Sequence, residues 1–275
     1  MFDLHVHAAP DVDPRAGDDT TVADWYEAAG YSGFVLKGHY ESTVGRAAEA
    51  GTGRRVRVYG GIALNAHVGG FNPHAVAAAL QMGARVVWMP TTDAAAHQRA
   101  GLPRLWSSDR RLHDTTFAAP PLDWSTEPAL RLILDLIAEA DAVLATGHLS
   151  GAEIAWLLTA ARHAGVRRIL LTHPGYTVPN LGHTEVAEFA DQGAAVEVTA
   201  FQLLHQPDCD ASRLAALIRA AGTSRVVLSS DAGQPDSRPP PEALAGLLDA
   251  LAGQGLDSGA LAAMSGEQPE QLVTP

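Results

Sequence analysis

Cysteine and lysine are almost missing from this chain: Cys209 is the only cysteine and Lys37 the only lysine among 275 residues. One thiol excludes an internal disulfide and fits a reducing cytoplasm. Positive charge is scarce too. Nineteen Lys and Arg face 31 Asp and Glu, a formal charge of −12, which argues against nucleic acid or anionic membrane as a partner held by bulk electrostatics. No 18-residue apolar run occurs, and no basic segment followed by an apolar one opens the chain, so neither a membrane span nor a secretory leader is expected. What is present is 47% hydrophobic residues with 18% charged, the balance of a soluble globular protein with a sizeable core. Histidine is abundant, with twelve copies, most in or beside apparent loops.

Short β-rich runs recur at about the spacing of a βα unit. The expected strands are 3–7, 33–37, 56–64, 85–89, 142–146, 168–172, 195–199 and 225–230. They are nearly continuous apolar runs, as suits parallel strands buried on both faces. Helical patterns separate them at 21–29, 43–50, 73–82, 127–140, 152–163, 184–192, 211–221 and 241–252, several ending at a glycine suited to a left-handed cap (Gly30, Gly83, Gly165, Gly193, Gly222). Eight strands alternating with eight helices predict an α/β fold, a (β/α)₈ TIM barrel, with an open doubly wound sheet as the alternative. No interdomain linker stands out, so residues 1–275 are expected to form one domain.

One stretch between strands four and five, 91–127, breaks the pattern. It holds Arg99, Arg104, Arg110, Arg111, Trp106, Trp124, His97 and His113 among several prolines. A long loop in a compact domain is usually functional. A lid or substrate-binding excursion is expected, with a homo-oligomer interface as the alternative, since Trp and Arg also favour interfaces.

Polar residues stand where the apolar strands run out. His5 and His7 end the first, two apart and so facing one way on a strand; His148 follows the fifth, His173 the sixth and Asp231 the eighth. Imidazoles with a carboxylate are a usual ligand set for Zn²⁺, with Mn²⁺ or Fe²⁺ as other candidates. In a barrel these strand ends share the active-site face. Three or four such ligands leave a position for water, whose pKa a metal lowers towards neutrality. Asp231 could move the proton, and His173 could be a second-metal ligand or a hydrogen-bonding electrophile. A metal-binding, non-catalytic barrel serving as scaffold or sensor is the alternative from a different class, and a barrel that has lost its metal is the bland reading of the set.

Strand two ends Lys37-Gly-His39-Tyr40. A buried lysine there must be paired or used. Lys37 could be carboxylated and bridge two metals, bind a substrate anion, or pair with Asp231 or Glu197; His39 could be a further ligand. Arg15, with Asp11 and Asp13 in the loop after strand one, could anchor substrate or be a turn residue. Glu197, inside an apolar strand, reads first as a charge facing helix dipoles or an arginine between strand and helix, and second as a site residue. His67 and His183 read as loop histidines, His163 as a surface residue near a helix C-terminus.

With His-Val-His on strand one, His148, His173 and Asp231, the whole chain resembles the amidohydrolase superfamily. The segments 35–43, 145–150 and 172–179 resemble a bacterial branch known as cation-binding or amidohydrolase-like. The resemblance implies metal-dependent hydrolysis of C–N, C–O or P–O bonds, with some decarboxylases and isomerases, at one or two divalent ions. Strand four departs from it: Val-Trp-Met-Pro90 lacks the bridging Lys or Glu of binuclear members. The Asp-x-His-x-His opening and His39 also resemble polymerase-and-histidinol-phosphatase phosphoesterases, although Gly-Gly-Ile-Ala-Leu-Asn65 lacks the Glu expected after strand three. The expected function is a metal-dependent hydrolase of an amide, cyclic amide, lactone or related bond in a small molecule.

Overall fold

In the computed structural model, which describes residues 1–103 and 115–274, eight parallel strands neighbour one another in chain order. They are β1 (Phe2–Val6), β2 (Gly33–Leu36), β3 (Arg57–Ala63), β4 (Val86–Trp88), β5 (Val143–Ala145), β6 (Arg168–Leu171), β7 (Ala195–Thr199) and β8 (Val226–Ser229). The ring closes at its carboxyl end. His7 N donates to Ala232 O at 2.9 Å and Asp231 N to His5 O at 2.8 Å. The fold is therefore the expected (β/α)₈ barrel, and the open sheet is excluded. The five glycines expected as helix caps all have positive φ.

Both faces of each strand are buried, and alternation sorts the side chains. Val35, Val86, Trp88, Val143, Ala145 and Val227 fill the barrel, whereas Phe34, Leu36, Val87 and Leu144 pack outward against the helices. A C-terminal helix plugs the barrel floor with Leu272 and Val273. Arg85 and Arg168 hold it there by donating to the carbonyls of Val273 and of Gln271 and Leu272. Short helices at Ala95–Arg99, Ala200–His205, Ser258–Met264 and Glu267–Val273 were not expected. They are one or two turns long, too short to show a 3.6 period. Among the described residues no helix is long and apolar enough to cross a membrane.

The first strand is not regular. Its register against β2 runs Phe2↔Gly33, Asp3↔Phe34, Val6↔Leu36, so three steps on β1 match two on β2. This is a β-bulge. Leu4 packs inside the barrel, and the extra residue lets His5 turn inward as well, its ring 6.2 Å from Trp88. Asp3, fully buried, holds the bulge: its carboxylate accepts from His5 N at 3.1 Å, Ser230 N at 3.0 Å and Tyr26 Oη at 2.6 Å.

The start and end of the 91–127 stretch meet. Ala94 bridges Phe117, Phe117 N donates to Asp93 O, and Ala95 N to Phe117 O. Ala119 N is accepted by Glu153, which also caps the helix Gly151–His163 through Ser150 N. Arg104, Trp106, Arg110, Arg111 and His113 lie outside the described residues.

Candidate metal centre and substrate cavity

The carboxyl ends of the strands open into a cavity of about 600 Å³. His5 Nε2 lies 3.0 Å and His7 Nε2 3.2 Å from Asp231 Oδ1. These buried residues form a group of donors, all within 4.8 Å of one another, that could hold a metal ion. Asp231 lies two residues beyond β8 rather than at its end, and its backbone is left-handed, φ 49°. Gly233 makes that turn possible, because a Cβ there would meet His7 O at 2.0 Å. His173 too has positive φ, 26°. Such conformations are costly for non-glycine residues and cluster at functional sites.

Glu197 contradicts its first reading. It points into the barrel, fully buried, and its partners among the described residues are His5 and the backbone of His173 rather than an arginine. Oε1 accepts from His5 Nδ1–H at 3.1 Å, and Oε2 from the backbone N–H of His173 at 3.2 Å. With Nδ1–H engaged by Glu197, Nε2 is the nitrogen His5 has left for an ion, the arrangement of a carboxylate behind a metal-binding histidine. Burial opposes ionisation of Glu197 and Asp231, but the field and hydrogen bond of His5 override it and hold both below the usual carboxylate range. Burial lowers the His5 pKa and Lys37 assists, yet Asp231 and Glu197 raise it to about 8.

Lys37 makes its close contact with His5 rather than with a carboxylate. Its Nζ lies 2.9 Å from His5 Nε2 and 5.6 Å from the Trp88 ring centre. Burial pushes its pKa down, against the more distant charges of Asp231 and Glu197. One imidazole nitrogen thus meets both an ammonium and a carboxylate oxygen. A proton on Nε2 suits only the second, and the lone pair only the first.

His148 and His173 stand beside this group, their rings 5.1 Å apart and that of His173 6.0 Å from His5. Burial lowers the pKa of both, that of His173 to about 4. Gly147 sets His148 in place: its φ is +57°, and a Cβ would lie 2.3 Å from Met89 O, just after β4. His39 stacks on His7 at 4.9 Å, with Nδ1 3.0 Å from Thr91 Oγ1. The seven expected site residues therefore share one region, but only His5, His7 and Asp231 make the tight group. His67, His163 and His183 are exposed and away from the cavity lining.

Two lining residues escaped the sequence: Tyr176 follows β6, and Phe201 lies on the unexpected helix Ala200–His205. Thr92, His97, Leu102 and Pro103 come from the 91–127 stretch, read from the sequence as a lid or substrate-binding excursion. Arg15 lines the cavity with Asp13 and Pro14. Asn65, where the phosphoesterase resemblance wants a ligand nearby, stitches loops instead. Its amide donates to His39 O and Thr91 Oγ1 and accepts from Thr91 N.

With this geometry in view, the profile of a family described as "Family of unknown function (DUF6282)" matches residues 1–197. The chain belongs to DUF6282. No curated protein matches this DUF6282 chain. Solved structures do. An amidohydrolase from Pseudomonas aeruginosa superposes with TM-score 0.66 at 11% identity, covering 98% of this chain and 95% of that one. An organophosphorus hydrolase from Deinococcus radiodurans gives 0.65 at 16%, covering 99% and 92%. A 2,6-dihydroxybenzoate decarboxylase from Rhizobium gives 0.60 at 12%, covering 99% and 98%. At such identities the likeness shows a shared fold, the (β/α)₈ barrel that the strand pattern of the sequence led one to expect.

Proposed function

We propose that this chain is a metal-dependent hydrolase that directs an activated water at an amide, cyclic amide, lactone or related ester bond of a small molecule. One observation carries the reading. His5 Nε2, His7 Nε2 and Asp231 Oδ1 converge at the carboxyl end of the barrel, His7 and Asp231 line a cavity of substrate size, and Glu197 engages His5 through Nδ1, so that Nε2 is the nitrogen left for an ion. Two imidazoles and a carboxylate suit Zn²⁺, Mn²⁺ or Fe²⁺. Such an ion, when bound, lowers the pKa of water towards neutrality.

The chain's own groups supply the rest. Asp231 could take a proton from the attacking water and return it to the leaving group. His173 and His148 line the same cavity and hold little charge near neutral pH, so they can hydrogen-bond a developing oxyanion or take a second ion. Tyr176, Phe201, Leu102 and Pro103 exclude water around the reacting bond. The similar structures named amidohydrolase and organophosphorus hydrolase favour this chemistry over a silent scaffold.

Metal analysis of the purified protein, with turnover of a panel of lactones, lactams, N-acyl amino acids and phosphoesters, tests the reading. The expected result is stoichiometric metal and hydrolysis of a carboxylic ester or amide bond. The His5→Ala/His7→Ala variant should lose both while keeping its far-ultraviolet circular dichroism. Unchanged metal in that variant would refute the assignment, and turnover of phosphoesters alone would favour the phosphoesterase alternative.

A further inference from the structure

Arg15 stands on the cavity wall with no part in the chemistry above. It is the only arginine or lysine besides Lys37 among the described lining residues, and its side chain is only 5% exposed. Asp11 grips one edge of the guanidinium: Oδ2 accepts from Nε at 2.8 Å and pairs with Nη2 at 2.7 Å. That grip fixes the plane of the group and leaves Nη1 free to donate; among the described residues no second acceptor for Arg15 is found. Its charge is felt at His7, Lys37 and His39, which sets it beside the proposed reaction centre.

Of the other acidic lining groups, two are engaged elsewhere and one is exposed. Asp13 accepts from Tyr40 Oη at 3.1 Å, Asp231 faces His5 and His7, and Asp236 is exposed. The turn after β6 adds Tyr176 and the helix Ala200–His205 adds Phe201, ring centres 5.9 Å apart and tilted by 70°, an apolar wall on which a flat body can rest. A guanidinium held in plane, with donors to spare, matches the two oxygens of a carboxylate. An apolar wall beside it suits a planar carbon skeleton.

We propose that the cavity takes small planar carboxylates, with Arg15 binding the carboxylate and so setting the reacting bond against His5, His7 and Asp231. The proposal rests on the cavity being the substrate site. Isothermal titration of the metal-loaded, full-length protein with benzoate and with the neutral isostere benzamide tests it. Benzoate should bind about tenfold or more tightly than benzamide, the scale of a charge-assisted hydrogen bond in a protected site. Arg15→Gln should abolish that preference without changing metal content. Asp11→Asn/Arg15→Gln should do the same while leaving no lone buried carboxylate. No benzoate binding, equal affinities in the wild type, or a preference that survives both variants would overturn the proposal. Benzoate held through Arg15 by a protein that hydrolyses nothing would keep this assignment and sink the hydrolase reading. Hydrolysis without an Arg15-dependent preference would do the reverse.

Discussion

His97 and His148 meet nitrogen to nitrogen, Nδ1 to Nδ1 at 2.8 Å, in rings stacked 20° from parallel. Such a contact holds one proton. His97 Nε2 lies 3.1 Å from the carbonyl of Pro103 and donates to it, so in neutral rings its Nδ1 is bare and accepts from His148 Nδ1–H. His148 is then left with an Nε2 lone pair for the cavity. The 91–127 stretch thereby does more than line the site: it fixes a tautomer. His97→Phe keeps the ring and loses the acceptor. It should weaken metal binding or kcat/KM by about 10- to 100-fold, the usual cost of losing a partner behind a ligand, with little change in melting temperature. Competition with a chelator measures the first quantity and steady-state kinetics the second. Values equal to wild type would show that His148 needs no such support.

Glu197 does the same for His5, and its second oxygen ties the strained turn at His173 to the same carboxylate. Glu197→Gln leaves one oxygen for two N–H donors and turns an NH₂ towards the other. Metal affinity should fall by about 10- to 100-fold, measured by the same competition. A variant as tight as wild type would return Glu197 to a purely structural role.

Asp231 is tested at constant shape. Asn keeps a carbonyl towards His5 and His7 but cannot carry a proton between water and leaving group. Asp231→Asn should lower kcat by about 10²- to 10⁴-fold, against a smaller change in KM. Near wild-type turnover would remove Asp231 from proton transfer.

The barrel was legible because strands buried on both faces read as apolar runs and helices of eight or more residues show their period. His5, His7, His148, His173 and Asp231 were legible for a related reason: a polar residue at the end of an apolar run stands out. Glu197 was misread because nothing in Ala-Val-Glu-Val-Thr tells the barrel side of a strand from the helix side when both are apolar. Asp3 escaped because a bulge is a mismatch between two strands and is written in neither alone. His97 was legible only as part of the 91–127 stretch; its contact with His148 escaped because the two are 51 residues apart.

Asp3 gives the bulge a pH dependence. Burial raises its pKa from 3.8 to about 6, against the hydrogen bonds from Tyr26, Ser230 and His5 N. The folded state thus holds this proton more tightly than the unfolded chain. The stability tied to it is full below about pH 4 and is lost as pH rises through about 6, a change of order 3 kcal/mol. In metal-free protein the urea midpoint of the wild type should lose ground to that of Asp3→Asn, whose side chain cannot ionise, between pH 4 and 7. A wild type that gains on the variant with rising pH would mean that Asp3 is held ionised.

Lys37 occupies the place where the site is most crowded. His5 Nε2 cannot accept from the Lys37 ammonium and also bind a metal, so loading the site requires Lys37 to swing away or shed a proton. Burial already lowers its pKa, which makes the second route accessible. Arginine keeps its proton and is bulkier. Lys37→Arg should therefore impair both metal uptake and turnover although it preserves the charge, whereas Lys37→Met, of similar length and uncharged, should load metal at least as well as wild type. Metal titration of the two variants separates these effects from a general loss of fold, and turnover of the loaded Met variant asks whether the amine also serves the reaction. If the arginine variant loads and works normally, Lys37 is an electrostatic neighbour of His5 and nothing more.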